Sequence, residues 1–318
     1  MKKQLIWAIG LSIAFCACKK ESTRHNQNPA EQGSSKGAKK YAVGFKLSGF
    51  TKETKGISSG KLNTNAALTD AIKFLSYYAY TGNKDSLKQV KTIFQKSTDA
   101  GFGAITDSLA AGHYTVFFVG ATSANYYVTN SCLDLVAGTY HPSLGYKNNE
   151  NFTDTFLQKL EFDVTANGTQ SIVLKRIVGQ VTYKLLDALP ADINKIEVTL
   201  GTAPPLYDMV DGGAASDCVH SSGWDDRIQT FIVNSSDKGK TNVEFSTYAW
   251  PFNYFATGIK AYNANNVVIG QTNWEDSPTL LVESNTQYIL SGYLFKQAPS
   301  SFSITVDSKW NAPQNGTF

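Results

Sequence analysis

The segment richest in reactive side chains is Asp217-Cys-Val-His-Ser-Ser-Gly-Trp-Asp-Asp226, which gathers a thiol, an imidazole and three carboxylates within ten residues. Such a set could ligate a metal ion or pair a nucleophile with a base. Cys-x-His is not a usual zinc spacing, however, and no second Cys/His cluster supplies the missing ligands. The segment therefore reads as a surface loop around His220, and no metal is expected. Gly56-Ile-Ser-Ser-Gly60 matches the G-x-S-x-G pattern of a nucleophile elbow, which needs a buried strand to deliver its serine to a sharp turn. Here Thr51-Lys-Glu-Thr-Lys55 precedes it and Lys61-Leu-Asn-Thr-Asn65 follows. Both flanks are polar, so Ser58 reads as part of a loop. The other histidines are dispersed: His25 lies in a polar stretch, His113 opens an apolar run, and His141 stands before Pro142. No phosphate-cradling glycine loop, EF-hand or HExxH pattern occurs, and the carboxylate pair of a glycosidase is not recognisable from spacing. The expectation is no enzyme, no catalytic residues and no cofactor.

The four cysteines sit in two settings. Cys16 and Cys18 close an amino-terminal segment in which Lys2 and Lys3 precede an apolar run from Leu5 to Cys16, broken only by Gly10 and Ser12. That run is shorter than the ~20 apolar residues a bilayer span needs, but it suits the apolar region of a secretory signal. After Cys18 the chain turns polar at once, with Lys-Lys-Glu-Ser-Thr-Arg24. The arrangement resembles the lipobox of bacterial lipoproteins, where a small residue precedes a cysteine that is acylated and becomes the first residue of the mature chain. Ala17 before Cys18 meets that requirement and Phe15 before Cys16 does not, although Phe15 and Cys16 depart from the usual upstream residues. Cys18 is thus the expected lipidation site and residues 1–17 the signal peptide, with the membrane a partner through the lipid. Several acyl chains hold a protein far more firmly than one. Cys132 and Cys218 are the remaining pair, one in each half of the body. An oxidising compartment permits a disulfide between them, and two separate half-buried thiols is the plainer alternative, which the sequence favours.

The positioning elements have a period of two. Val43, Phe45 and Leu47 alternate with Gly44, Lys46 and Ser48; Ile196, Val198 and Leu200 alternate with Lys195, Glu197 and Thr199. Further strands are expected at Ile72–Ser76, His113–Ala121, Phe156–Val164, Ser171–Leu174, Ile177–Leu185, Arg227–Val233, Asn242–Tyr248, Phe252–Tyr262, Gln287–Phe295 and Phe302–Val306. Ser86–Ser97 fits either a turn-rich segment or a strand. Turn clusters such as Ala166-Asn-Gly168 and Tyr262-Asn-Ala-Asn-Asn266 separate short strands, which points to β-sandwiches. A new strand set begins at Lys175-Arg176. The expected body is therefore two consecutive β-sandwiches, 41–174 and 175–318, behind a flexible tether, 18–40, whose Gln27–Lys40 stretch has no large apolar residue. Tyr126, Tyr127, Tyr140 and Tyr146 fall in the region 122–155, where they fit either loops that bind a sugar or a partner or a hairpin packed on its own sandwich.

The net charge of +3 over 318 residues misleads if left undivided. Residues 18–40 hold six basic and two acidic side chains, and the body from Tyr41 onward holds 21 basic and 24 acidic, a net of −3. A nucleic-acid footprint needs a basic folded surface, so no nucleic-acid partner is expected.

Three stretches carry a family resemblance. They are Gly101-Phe-Gly-Ala-Ile-Thr-Asp-Ser-Leu-Ala-Ala-Gly-His-Tyr-Thr-Val-Phe-Phe-Val-Gly120, Leu174-Lys-Arg-Ile-Val-Gly-Gln-Val-Thr-Tyr183 with Ile196-Glu-Val-Thr-Leu200, and Gly292-Tyr-Leu-Phe295 with Phe302-Ser-Ile-Thr-Val306 and Trp310. With the lipobox and tether, this order of elements resembles the fimbrillin family of Bacteroidetes-type (type V) pili, and within it the fimbrial anchor lipoproteins. The resemblance implies two transthyretin-like β-sandwich domains, an outer-membrane surface location, and fimbrial subunits as partners through strand complementation. A glycan-binding surface lipoprotein of a polysaccharide-uptake system would share the lipobox, tether and sandwiches, and is the alternative.

Overall fold

Alternation of apolar and polar side chains becomes an all-β architecture. The computed structural model describes residues 38–51, 67–134, 138–147, 151–214, 225–254, 258–272, 279–295 and 302–307. The signal, most of the tether, the Gly56–Gly60 segment, Cys218, His220 and the residues after Asp307 lie outside the described residues. Helical structure among the described residues is limited to α1 (Ala67–Ala71) and two 3-10 turns, Lys84–Ser86 and Ser235–Asp237. No described helix is long and apolar enough to cross a membrane.

The strands up to Arg176 are β1 (Lys40–Thr51), β2 (Phe74–Thr81), β3 (Lys88–Lys96), β4 (Ala104–Ala110), β5 (Gly112–Ala121), β6 (Tyr126–Asp134), β7 (Thr139–Tyr146), β8 (Thr155–Val164) and β9 (Gly168–Arg176). Seven form one sheet in the order β3-β2-β5-β8-β9-β1-β4. β8 and β9 pair only at Phe156↔Arg176 and Leu157↔Lys175, so the sheet folds over at that seam. Phe45 on β1 proves the closure: its ring lies 5.4 Å from Tyr77 on β2 and 5.1 Å from Phe118 on β5. Neither strand is hydrogen-bonded to β1, so the contacts run across the layers. Val43, Phe45 and Leu47 point into this core with Val116, Ile105 and Ile172. Each such side chain stabilises the fold by roughly 1.5–3 kcal/mol relative to exposure. The open reading at 86–97 resolves as the edge strand β3, whose Val90 and Phe94 remain exposed.

The later strands are β10 (Gly179–Leu185), β11 (Ile193–Ala203), β12 (Leu206–Asp208), β13 (Asp225–Ile232), β14 (Val243–Ala249), β15 (Phe252–Tyr254), β16 (Gly258–Asn263), β17 (Val268–Gln271), β18 (Leu280–Val282), β19 (Gln287–Gly292) and β20 (Phe302–Asp307). Two four-stranded sheets, β14-β10-β19-β20 and β13-β11-β16-β17, enclose a second core. Val181, Tyr183 and Leu185 meet Ile196, Val198 and Leu200 there. The single strand expected over 252–262 is two, because β15 leaves to pair with β18 while β16 joins β11.

The wiring of the first half recurs in the second. β1 lies between antiparallel β4 and parallel β9, as β10 lies between antiparallel β14 and parallel β19. The run β3-β2-β5-β8 matches β13-β11-β16-β17 strand for strand, antiparallel throughout. Only β6, β7, β12, β15, β18 and β20 fall outside this duplicated frame. The chain passes from one half to the other through Ile177 and Val178, both buried. Gly179 follows, and a Cβ there would lie 2.5 Å from Val282 Cγ1 and 2.6 Å from the Glu283 carbonyl oxygen. The backbone oxygen cannot rotate away, so Gly179→Ala should destabilise the fold by about 1–3 kcal/mol. Chemical denaturation checks this, and an unchanged midpoint would show that the 283–286 turn yields.

Candidate functional site

The segments outside the duplicated frame meet each other. The hairpin β6–β7 interrupts the first half between β5 and β8, and β12 interrupts the second between β11 and β13. Together they form a three-stranded sheet, β12-β7-β6. β12 docks by the register Leu206↔Gly145, Tyr207↔Leu144 and Asp208↔Ser143. The approach is close because Gly145 has no side chain: a Cβ would lie 2.6 Å from the Tyr127 ring and 2.8 Å from Leu206 Cδ2.

Asp208 then turns the chain back. Its Oδ1 accepts from the backbone N–H groups of Val210 at 2.7 Å and Asp211 at 3.1 Å, the side-chain-closed turn that aspartate favours. Gly212, at φ 76°, supplies the left-handed residue that completes the turn. The other carboxylate oxygen, Oδ2, lies 3.0 Å from His141 Nδ1. Asp211 Oδ2 lies 3.7 Å from the same nitrogen. The His141 side chain is 1% exposed, Asp208 16% and Asp211 51%, so a buried imidazole faces two carboxylates that open progressively to solvent. One ligand atom from each residue falls within a mutual 4.8 Å. Lys84 caps the open side, its Nζ 2.7 Å from Asp211 Oδ1. At half exposure that pair contributes little, about 0–1 kcal/mol. Among the described residues this is the one group of His, Cys, Asp and Glu dense enough to hold a metal ion.

An aromatic box lies beneath the same sheet. Trp250, fully buried after β14, sits 5.2 Å from Tyr146, 5.3 Å from Phe152 and 5.3 Å from Tyr207, centroid to centroid. Burial pushes the Tyr146 phenol up to about 12, against hydrogen bonds from its neighbours that pull it down, so it stays neutral and donates to the Thr153 carbonyl at 3.0 Å. Beside the box, Arg176 holds Asp154 through two bonds of 2.7 and 2.8 Å and reaches Asn285 at 2.9 Å. Both members of that ion pair are 13% exposed, and they tie the end of β9 to the turn before β19.

Of the residues singled out in the sequence, Cys132 lies on β6 opposite His141, while Cys18, Cys218, His220 and Ser58 are outside the described residues. The four tyrosines of the 122–155 region divide. Tyr126 and Tyr146 pack inward, and Tyr127 and Tyr140 stay exposed, so the region is a hairpin rather than a free loop. It pairs with β12 and packs on Trp250 from the other half instead of on its own sandwich alone. His141, read as an isolated histidine before Pro142, is the centre of the cluster. Its partner Asp208 is 67 residues away, and no local spacing could have shown the pair.

No protein-family model matches the chain, and no curated protein sequence does either. Among solved structures it is similar to a Bacteroides thetaiotaomicron protein proposed to bind polysaccharide, at 14% identity over 85% of this chain and 96% of that one, with TM-score 0.47. It is also similar to a proposed adhesin from Bacteroides ovatus, at 12% identity over 85% and 92%, with TM-score 0.45. A third is the fimbrial anchor protein Mfa2 from Porphyromonas gingivalis, at 12% identity over 85% and 98%, with TM-score 0.44. At these identities and TM-scores the function has to be read from the chain's own residues. The likeness to these three, a polysaccharide-binding protein, an adhesin and a fimbrial anchor by description, is one of fold.

Proposed function

We propose that the chain is an outer-membrane surface lipoprotein that serves as a fimbrial subunit, the anchor that attaches the fimbria to the cell. In this reading Cys18 carries the lipid, residues 18–40 are the leash, and two sandwich domains, 41–174 and 175–318, bear the load. Neighbouring subunits join by strand complementation. The observation that carries the reading is the position of β1. It is paired antiparallel with β4 from Lys40 to Lys46 and parallel with β9 from Val43 to Thr51. Giving it up would leave two rows of unpaired backbone groups and an apolar slot. The tether leads in sequence into this strand, so a chain cut beyond β1 loses its lipid, and an anchor has to keep the strand.

Replacing the acceptor thiol tests the anchor. Cells expressing the protein should incorporate a fatty-acid probe into it, and Cys18→Ala should abolish the labelling and leave the protein released or as uncut precursor. Undiminished labelling of Cys18→Ala would move the attachment to Cys16 or reject lipidation at this segment.

A further inference from the structure

The cluster of His141, Asp208 and Asp211 is built wholly from segments outside the duplicated strand frame. We propose that these three side chains form a zinc site that staples the β12 turn to β7. The donor set is one ring nitrogen and two carboxylate oxygens, a combination that suits zinc and gives hard oxygen-seeking cations such as calcium a poor third ligand. Ligand atoms at ~2.1 Å from a tetrahedral ion are about 3.4 Å apart. The two distances from His141 Nδ1, 3.0 Å to Asp208 Oδ2 and 3.7 Å to Asp211 Oδ2, bracket that spacing. Asp208 is fixed by its two backbone hydrogen bonds and His141 by its burial on β7, so two ligands are preorganised. Asp211, half exposed, is the ligand that moves to close the third edge, and its solvent side leaves room for water as the fourth.

Zinc would take the place of the proton that His141 Nδ1 shares with Asp208, leaving the neutral imidazole with its one ring proton on Nε2 and Nδ1 as the ligand. Lys84 stays on Asp211 Oδ1 and opposes the metal by its charge. Binding would convert a hydrogen-bonded contact between the two inserts into a coordinated one, stiffening the connection between the chain's halves.

The test uses the full-length chain stripped with chelator and titrated with zinc chloride or calcium chloride. Binding is followed by calorimetry, elemental analysis and thermal melting. One zinc per chain should bind and raise the melting temperature, with no such effect of calcium. Asp211→Asn, at a half-exposed position that should fold normally by circular dichroism, should weaken zinc binding by more than about tenfold. Lys84→Ala should leave it equal or tighter. No zinc retained by the parent chain would overturn the proposal. So would an Asp211→Asn chain that binds zinc as well as the parent, because the metal would then reside elsewhere, for instance at Cys218 and His220.

Discussion

Trp250→Ala should cost about 3–5 kcal/mol of folding stability, the range for emptying a fully buried large aromatic site. Three aromatic rings from two halves of the chain surround Trp250: Tyr146 and Phe152 before the crossover at Ile177, and Tyr207 after it. The indole N–H finds no acceptor among the described residues, so the contribution of Trp250 is apolar packing rather than a hydrogen bond. That fixes the expected order of variants. Trp250→Phe removes volume but also removes an unsatisfied donor, and should cost clearly less than Trp250→Ala. The backbone would be spared in both, since Tyr254 Oη donates to the Trp250 carbonyl at 3.1 Å whatever the side chain. Urea denaturation followed by circular dichroism measures the difference. A shift of no more than about 0.5 kcal/mol for Trp250→Ala, the size of an ordinary surface substitution, would mean that the box does not hold the two halves.

Where one face of a strand meets a core and the other meets water, the sequence was sufficient to place it. β11 is the plain case, its Ile196, Val198 and Leu200 buried and its Lys195 and Glu197 on the outer face joined by a 2.8 Å ion pair. β6 and β7 did not announce themselves because their surroundings differ. Six consecutive residues of β7, His141 to Tyr146, are buried, and a strand covered on both faces loses its alternation. Pro142 and Gly145 within it added the appearance of a loop. The break between β15 and β16 was equally hidden, since it depends on β18, a three-residue strand reached only through tertiary pairing. The duplicated wiring left no repeat in the sequence, because topology is conserved through backbone pairing while each core is filled by different side chains. The cluster at His141 required β12 to dock on β7, a long-range pairing of three residues. Conversely, Cys18 is legible only from the sequence, in the contrast between an apolar run and a polar flank.

The surface form of the protein should retain residues 18–50. Arg24 and Lys39 precede β1 and Lys40 is its first residue; Lys39 and Lys40 are exposed, and the three basic residues are the targets a trypsin-like protease would meet first. Cleavage at any of the three would separate the body from its lipid. Lys46 presents an exposed side chain, yet its backbone pairs on both sides, with Ala104 and with Ser171. A protease must draw a substrate into its own extended groove, so cutting there requires β1 to leave the sheet first. Leaving exposes Val43, Phe45 and Leu47, which together stabilise the fold by about 5–9 kcal/mol. That is comparable to the whole stability of an ordinary domain, ~5–15 kcal/mol, so β1 is not lost by fluctuation at a useful rate. If subunits join by strand complementation, as the family resemblance implies, a polymerising subunit would give up this strand and accept a neighbour's in its place; an anchor gains nothing from losing it and forfeits attachment. Mass spectrometry of the protein recovered from intact cells separates the two. Peptides covering residues 41–50 joined to a lipidated amino terminus at Cys18 are the expected result, and a mature terminus beyond Phe50 would make this chain a polymerising subunit instead of an anchor.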